Sequence, residues 1–344
     1  MRTVIAYNER HREHYRNGHV ERPGRLDAVM THLEKDPTWR RLRRIQAEPA
    51  SPGDLLLVHA EEHVRSVREA CDQGRRRLDP DTYVTDASFG VALEAVGCTV
   101  AVTREVLDGK AHRGLAAVRP PGHHASSTRS MGFCLFSNAA LAARWAQREA
   151  GLDRVLVVDF DVHHGNGTQE IFYEDPSVAF MSVHQSPFYP GTGRADERGE
   201  GPGVGATTNV PLPSGTGDAA YERVFRRILR PIAQSFDPEL ILLSAGYDAH
   251  WKDPLGGMRL TTAGFGRLVR EIAEWADACC DGRLVALMEG GYDADALAFS
   301  VAATLEVMHD PDAVVRDPIG EAPGKDLNID DYLDEVAAFF AADG

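Results

Sequence analysis

The stretch Val155–Phe172, VLVVDFDVHHGNGTQEIF, constrains the fold of this chain more than any other. An apolar, β-branched run stops at Asp159, Asp161, His163 and His164 and gives way at once to Gly165 and Gly167. A short run that is hydrophobic without alternation is a strand covered on both faces, which implies a parallel sheet with helices on either side. Side chains two apart on an extended backbone share a side, so Asp159, Asp161 and His163 are delivered together at the carboxyl end of the strand. Carboxylate oxygen and imidazole nitrogen are donors that suit a divalent ion such as zinc. Taken alone, the same residues would also suit a helix cap and a turn histidine. The metal reading therefore depends on what other strand ends supply.

Three other strand ends supply chemistry. Leu115–Val118 runs into Arg119-Pro120-Pro121-Gly122-His123-His124, where the prolines end the strand and the glycine lets the backbone turn to present a second histidine pair. Leu240–Ser244 leads to Gly246-Tyr247-Asp248, and Leu284–Met288 leads to Glu289-Gly290-Gly291-Tyr292. Arg2–Tyr7 and Val178–His184 read as further strands. Helices are expected at Leu26–Leu33, at Asp86–Leu107 with Gly109 just past its end, and at Ala139–Ala150, Tyr221–Gln234 and Thr261–Cys279. Pro187–Gly217, rich in Gly and Pro, reads as a long loop, a feature more often functional than idle. Strands and helices alternate without a linker or an internal repeat, which predicts one α/β domain over residues 1–344 with a mainly parallel sheet. Ligands of such sheets gather beyond the strand carboxyl ends, so His123-His124, Asp159–His164, Asp248 and Tyr292 are expected to converge.

Composition narrows the setting. Five cysteines without a Cys-x-x-Cys spacing argue against a disulfide framework and against a thiolate zinc site. No apolar stretch approaches the roughly 20 residues needed to span a bilayer, and the first residues lack a signal peptide's apolar region. The formal charge, 37 − 52 = −15, repels nucleic acid, and no aromatics interleave with the arginine runs. A cytoplasmic enzyme with neither nucleic-acid nor membrane partners is the expectation.

Asp161, His163 and Asp248 would give a zinc ion three protein ligands and leave a position for water and a substrate oxygen, as catalytic sites do. Such an ion polarises a carbonyl and acidifies its water. His124 could take the water's proton, and Tyr292 could donate a hydrogen bond to the oxyanion. Each residue has a plain structural explanation by itself. Their joint occurrence at four strand ends points to a metal hydrolase.

The motifs RPPGHH at Arg119–His124, GFC at Gly132–Cys134, DFDVHHGNGT at Asp159–Thr168, GYD at Gly246–Asp248 and EGGY at Glu289–Tyr292 resemble the zinc-dependent histone deacetylase and acetylpolyamine amidohydrolase family, in its order and over nearly the whole chain. The resemblance implies an arginase-like fold with a central parallel sheet of eight strands, and hydrolysis of an acetamide on a primary amine. It gives Asp161, His163 and Asp248 as zinc ligands, His124 as general base, His123 as its electrostatic partner and Tyr292 as oxyanion donor. Asp159 would pair with His123, and Asn166 with His124. Asn166 looks like the class II pattern, where class I enzymes carry Asp, and an amide should raise the base's pKa less. Class IIa enzymes with weak activity carry His in place of Tyr292, so activity is expected here. Phe133, beside Gly132, and Tyr189 match the aromatic walls of the family's acyl-lysine tunnel. The backbone oxygens of Asp159, Asp161, His163 and Val183 with the Ser182 hydroxyl match its potassium site, and Phe172, Asp175 and Val178 match a second one.

Leu255 stands where the polyamine deacetylases of class II have a glutamate gatekeeper. An apolar residue there cannot attract a second ammonium, which favours acyl-lysine or a related monoamine over an acetylpolyamine. The tails and second domains of nuclear deacetylases are missing, so a stand-alone bacterial-type enzyme is the better match. A two-manganese ureohydrolase would need more carboxylates than a chain offering His164 and His250 supplies. A silent acyl-lysine binding module is disfavoured by the intact base and tyrosine.

Overall fold

The computed structural model describes residues 2–341. Among them, eight strands form one sheet: β1 (Thr3–Tyr7), β2 (Arg43–Arg44), β3 (Arg113–Ala117), β4 (Val155–Asp159), β5 (Val178–Gln185), β6 (Thr207–Leu212), β7 (Leu240–Ala245) and β8 (Leu284–Met288). Their spatial order is β2-β1-β3-β8-β7-β4-β5-β6, and every pairing is parallel. The expectation of a mainly parallel sheet becomes an all-parallel one, as strands joined through helical crossovers require.

The central strands bury both faces by alternation. Leu156 and Val158 of β4, Ile241 and Leu243 of β7, and Leu284 and Ala286 of β8 join one apolar layer. Val155 and Val157, Leu240 and Leu242, and Val285 and Leu287 join the opposite layer. The helices Ser88–Leu107 and Asn138–Ala150 cover the second layer with Ala95, Val102, Ala139, Ala143 and Ala146. The small side chains let these helices lie close to the sheet. The helices Gly24–Leu33, Thr262–Cys279 and Ala294–His309 cover the first layer.

Helix ends follow the local chemistry. Ser137 caps Asn138–Ala150 by accepting from Ala140 N, and Gly151 closes it in the left-handed region at φ 70°. Thr261 caps Thr262–Cys279 and Asp293 caps Ala294–His309. The segment expected as one helix over Tyr221–Gln234 runs from Asp218 to Phe236 and contains a π-helical turn at Phe225–Leu229. The expected loop Pro187–Gly217 is not structureless, because β6 lies inside it.

The four strands whose ends carry chemistry, β3, β8, β7 and β4, are consecutive neighbours in the sheet. Asp159 stands opposite Ser244, and Ala245 opposite Met288, so their carboxyl ends finish level. This register gathers the site.

Candidate active site

At the level edge of the sheet, ligand atoms of Asp161, His163 and Asp248 all lie within 4.8 Å of one another. The two aspartates are fully buried. His163 Nδ1 is 3.1 Å from Asp161 Oδ1 and 3.2 Å from Asp248 Oδ2. The edge of a tetrahedron with bonds of about 2.0 Å to N and O ligands is about 3.3 Å. These separations are therefore those of donors sharing one ion. Asp248 Oδ1 accepts Val162 N–H at 2.9 Å, whereas Oδ2, although buried, takes part in no well-aligned hydrogen bond. A buried carboxylate oxygen without an aligned donor suits a cation. Backbone crowds the same oxygens: a Cβ on Gly290 would overlap Asp248 Oδ2, and one on Gly246 would overlap Asp161 Oδ2. The residues thus fit a single divalent ion.

A second group, His123, Cys134 and Glu289, is equally close-set but chemically spent. Glu289 Oε2 accepts Gly122 N–H at 2.6 Å and His123 N–H at 3.2 Å, and Oε1 accepts from Ser244 Oγ. His123 Nδ1 faces Asp159, and Cys134 Sγ donates to Gly132 O. This group braces the Pro-Pro-Gly loop. His164 and His250 point elsewhere, His164 to Thr192 and Gln169, His250 to Lys252 N and Thr262. A two-metal arrangement through them is thus unsupported.

The histidine pair is split electrostatically. His123 and His124 rings lie 4.0 Å apart. Burial disfavours charge on His123, but Asp161 and Asp159 outweigh it and hold its pKa well above the ordinary value; Asp159 Oδ2 accepts from Nδ1 at 3.0 Å. Burial, with His123 and His163 as positive neighbours, holds His124 well below. Asn166 presents its oxygen to His124 Nδ1 at 2.8 Å and its amide N–H to Met131 Sδ. The proton therefore sits on Nδ1 and the lone pair on Nε2. Burial opposes charge on His163 as well, yet Asp161 and Asp248 raise it to about 10 when no metal competes. Asp161 is drawn far down by His123 and His163 against its burial, while burial and then Asp161 raise Asp248.

Tyr292 is half-buried, and burial keeps its phenol protonated well above the usual range. Arg25 lies over its ring at 4.7 Å and donates to Gly291 O at 2.6 Å and to Glu289 O. Arg25 is held in turn by Glu21, which also takes a bidentate pair from the buried Arg119. Sequence reading gave no role to Glu21 or Arg25, and named Arg119 and Glu289 only as members of motifs. The detectable signal was a charged residue next to a buried strand or helix start, where charge without a partner is costly.

Phe133 and Tyr189 pack against the candidate groups. Phe133 packs edge-on to Tyr292 at 5.8 Å and adopts φ 69°, a conformation costly for a side chain of its size. Tyr189 meets His124 edge-on at 5.2 Å and is 37% exposed, as a rim residue would be. Phe188, not singled out from sequence, stacks on His163 at 5.1 Å. Gly132, φ 56°, passes against the His124 ring, and Leu255 is half-buried in the loop after β7. Ser182 stands opposite Asp159 on the neighbouring strand and pairs with His184. Phe172, Asp175 and Val178 lie at the turn into β5, where Phe172 O accepts from Asp175 N.

Comparison with known proteins gives a consistent result. A family model described as histone deacetylase domain matches residues 19–308. Histone deacetylase 10, chloroplastic, from Oryza sativa subsp. japonica is 42% identical over 85% of this chain and 70% of its own length. A probable deacetylase of Methanothermobacter thermautotrophicus is 39% identical over 98% of this chain and 99% of its own. The crystal structure of the HDA15 HD domain superposes with a TM-score of 0.85 at 38% identity, over 89% of this chain and 91% of that one.

Proposed function

Since the chain belongs to the histone deacetylase family, we propose that it is a zinc-dependent deacetylase, with residues 1–344 acting as one domain, that removes an acetyl or other short acyl group from the amine of acyl-lysine or a related small-molecule amine. The observation that carries this reading is the Asp161, His163 and Asp248 set, with ligand atoms within 4.8 Å of one another, beside a His124 whose Nδ1 is oriented by Asn166.

Asp161, His163 and Asp248 would hold the zinc, which when bound polarises the acyl carbonyl and acidifies a water. The chain's own groups do the rest. His124 Nε2 takes the proton of the attacking water, and the nearby charge on His123 disfavours keeping it, so the proton passes on to the leaving amine. Asp159 fixes His123 as the charged member, and Asn166 fixes the tautomer of His124. Tyr292 donates its hydroxyl to the oxyanion, a role worth roughly 10²–10³ in rate at such sites. The flat faces of Phe133 and Tyr189 let an alkyl chain slide inward while excluding water. Apolar Leu255 favours a monoamine over a polyamine. A potassium ion held by Asp159, Asp161, His163, Ser182 and Val183 would brace the ligand strand from below, with a second at Phe172, Asp175 and Val178.

Among the described residues no helix is long and apolar enough to cross a membrane, and all five cysteines are free. The test is a rate comparison, on zinc-loaded protein, of an acetyl-lysine peptide, longer acyl-lysines and acetylated polyamines, with Tyr292→Phe beside the parent. Acetyl-lysine is expected to be cleaved fastest among them, and Tyr292→Phe to lose about 100-fold or more in kcat while still binding substrate. An unchanged rate in that variant would refute the role of Tyr292, and preference for polyamines would refute the role of Leu255.

A further inference from the structure

Asp253 lies in the loop after β7, 6% exposed, and its two carboxylate oxygens serve different parts of the site. Oδ2 accepts the backbone N–H of Tyr292 at 2.6 Å and that of Asp293 at 3.2 Å. Oδ1 accepts the N–H of Leu255 at 2.9 Å. The first pair belongs to the segment that carries the phenol, and the third bond belongs to the loop that carries Leu255, the residue proposed to face the incoming chain. An Asp bonding the N–H two residues on is an ordinary loop device. That device does not account for the second oxygen, which reaches residues 39 and 40 positions further along the chain.

The phenol segment needs a hold from outside itself. Gly290 and Gly291 precede Tyr292; a side chain at Gly290 would strike Asp248 and Asp161, and Gly291 adopts φ 114°. Glycines give the backbone little preference of its own, so they cannot by themselves fix the tyrosine. Arg25 secures the carbonyl side of the segment through Gly291 O and Glu289 O. Asp253 secures the N–H side. Beyond it, Asp293 caps the following helix through Ala296 N at 2.9 Å.

We propose that Asp253 is a positioning residue that couples the tunnel rim to the oxyanion donor, one carboxylate fixing both the Tyr292 backbone and the Leu255 loop. The proposal rests on the deacetylase reading of Tyr292. It makes the placement of the hydroxyl depend on the same group that places the residue facing the incoming chain. A displacement of about 1 Å at a catalytic group can cost about 100-fold in rate.

Two variants of the full zinc-loaded chain test it. Asp253→Asn has nearly the same volume but one acceptor oxygen, so it can serve one end of the clamp and not both. Asp253→Ala serves neither. Amide hydrogen exchange, which needs no activity, is expected to rise about 10-fold or more at both the 289–294 and 254–257 segments in Asp253→Ala, and at one of them in Asp253→Asn. Unchanged exchange at both segments in Asp253→Ala, or at both in Asp253→Asn should the alanine variant not fold, overturns the clamp. The second readout is a double-mutant cycle in kcat on an acetyl-lysine peptide. Asp253→Ala is expected to lower kcat about 10-fold or more in the parent and less than about 3-fold in Tyr292→Phe, because the hydroxyl it positions is then absent. Equal losses in both backgrounds would show a general structural role and sink the coupling. If the parent itself leaves the peptide uncleaved, the deacetylase reading fails, and the exchange data still decide the clamp.

Discussion

Gly132 and Gly290 bring backbone against reacting groups at places where even a methyl would not fit, and the two should fail differently. A Cβ on Gly290 would overlap Asp248 Oδ2 and crowd Asp161 Oδ2, the proposed ligand oxygens. A Cβ on Gly132 would overlap the His124 ring, at a φ of 56° that already disfavours a side chain. Gly290→Ala is expected to lose bound zinc, read by elemental analysis. Gly132→Ala is expected to keep zinc and lose about 100-fold or more in kcat, the low end of what a positioned general base supplies. Zinc retained at full stoichiometry in Gly290→Ala would contradict the ligand assignment. The proposed ligand and base residues were legible in sequence because each follows an apolar strand, where a polar group is conspicuous. Asp253 was visible there as a loop residue only, since nothing local shows that its second oxygen reaches Tyr292.

At the scale of elements, the strands that sequence reading missed are the two edges of the sheet, β2 and β6. β2 is a pair of exposed arginines, and β6 contains Pro211, both devices that protect an edge and both unlike a buried strand. The covered strands were legible because burial on two faces leaves a continuous apolar run. Helix anchoring shows a second kind of nonlocal dependence. His59 donates from Nδ1 to Ser126 O at 2.9 Å and accepts Ser137 N–H on Nε2 at 3.0 Å, so it ties the capping residue of Asn138–Ala150 to the helices before it. Both bonds require the neutral ring, and burial lowers its pKa to about 3. Between about pH 3 and 6.5 the unfolded chain binds a proton there that the folded chain does not, so this contribution to stability falls as pH falls through that window. In His59→Gln, less stable at pH 7, the deficit relative to the parent should shrink by about 1.4 kcal/mol per pH unit between roughly pH 6 and 4. Denaturant midpoints at several pH values check this, and a deficit that does not change with pH would contradict the neutral, buried assignment.

For the whole molecule, the metal is expected to bear on folding as well as on rate. Asp159, Asp161, Asp248 and Glu289 are fully buried together, with His123 and His163 as their nearby positive partners. Burial raises Asp159 to about 6 and Glu289 to about 7 in the metal-free chain. Carboxyls raised in the folded state hold protons that the unfolded chain has lost, so the contribution of this cluster to metal-free stability falls as pH rises from about 4 to about 7. Chelation should therefore lower the melting temperature by several degrees, more at pH 8 than at pH 5, and added zinc should restore it; free zinc at 100 times its Kd contributes about 2.7 kcal/mol. A melting temperature indifferent to chelator at both pH values would contradict a bound ion in this cluster. The sequence by itself determined the parallel α/β class and the four strand ends on which the proposed chemistry rests, because strand burial and runs of candidate metal donors are written in local pattern. Only the tertiary structure decided that β3, β8, β7 and β4 are neighbours with level ends, that Asn166 turns its oxygen to His124, and that Arg25, Glu289 and Asp253 brace the site. Those contacts join residues tens to hundreds of positions apart, and their partners are set by packing and strand order, which no local pattern carries.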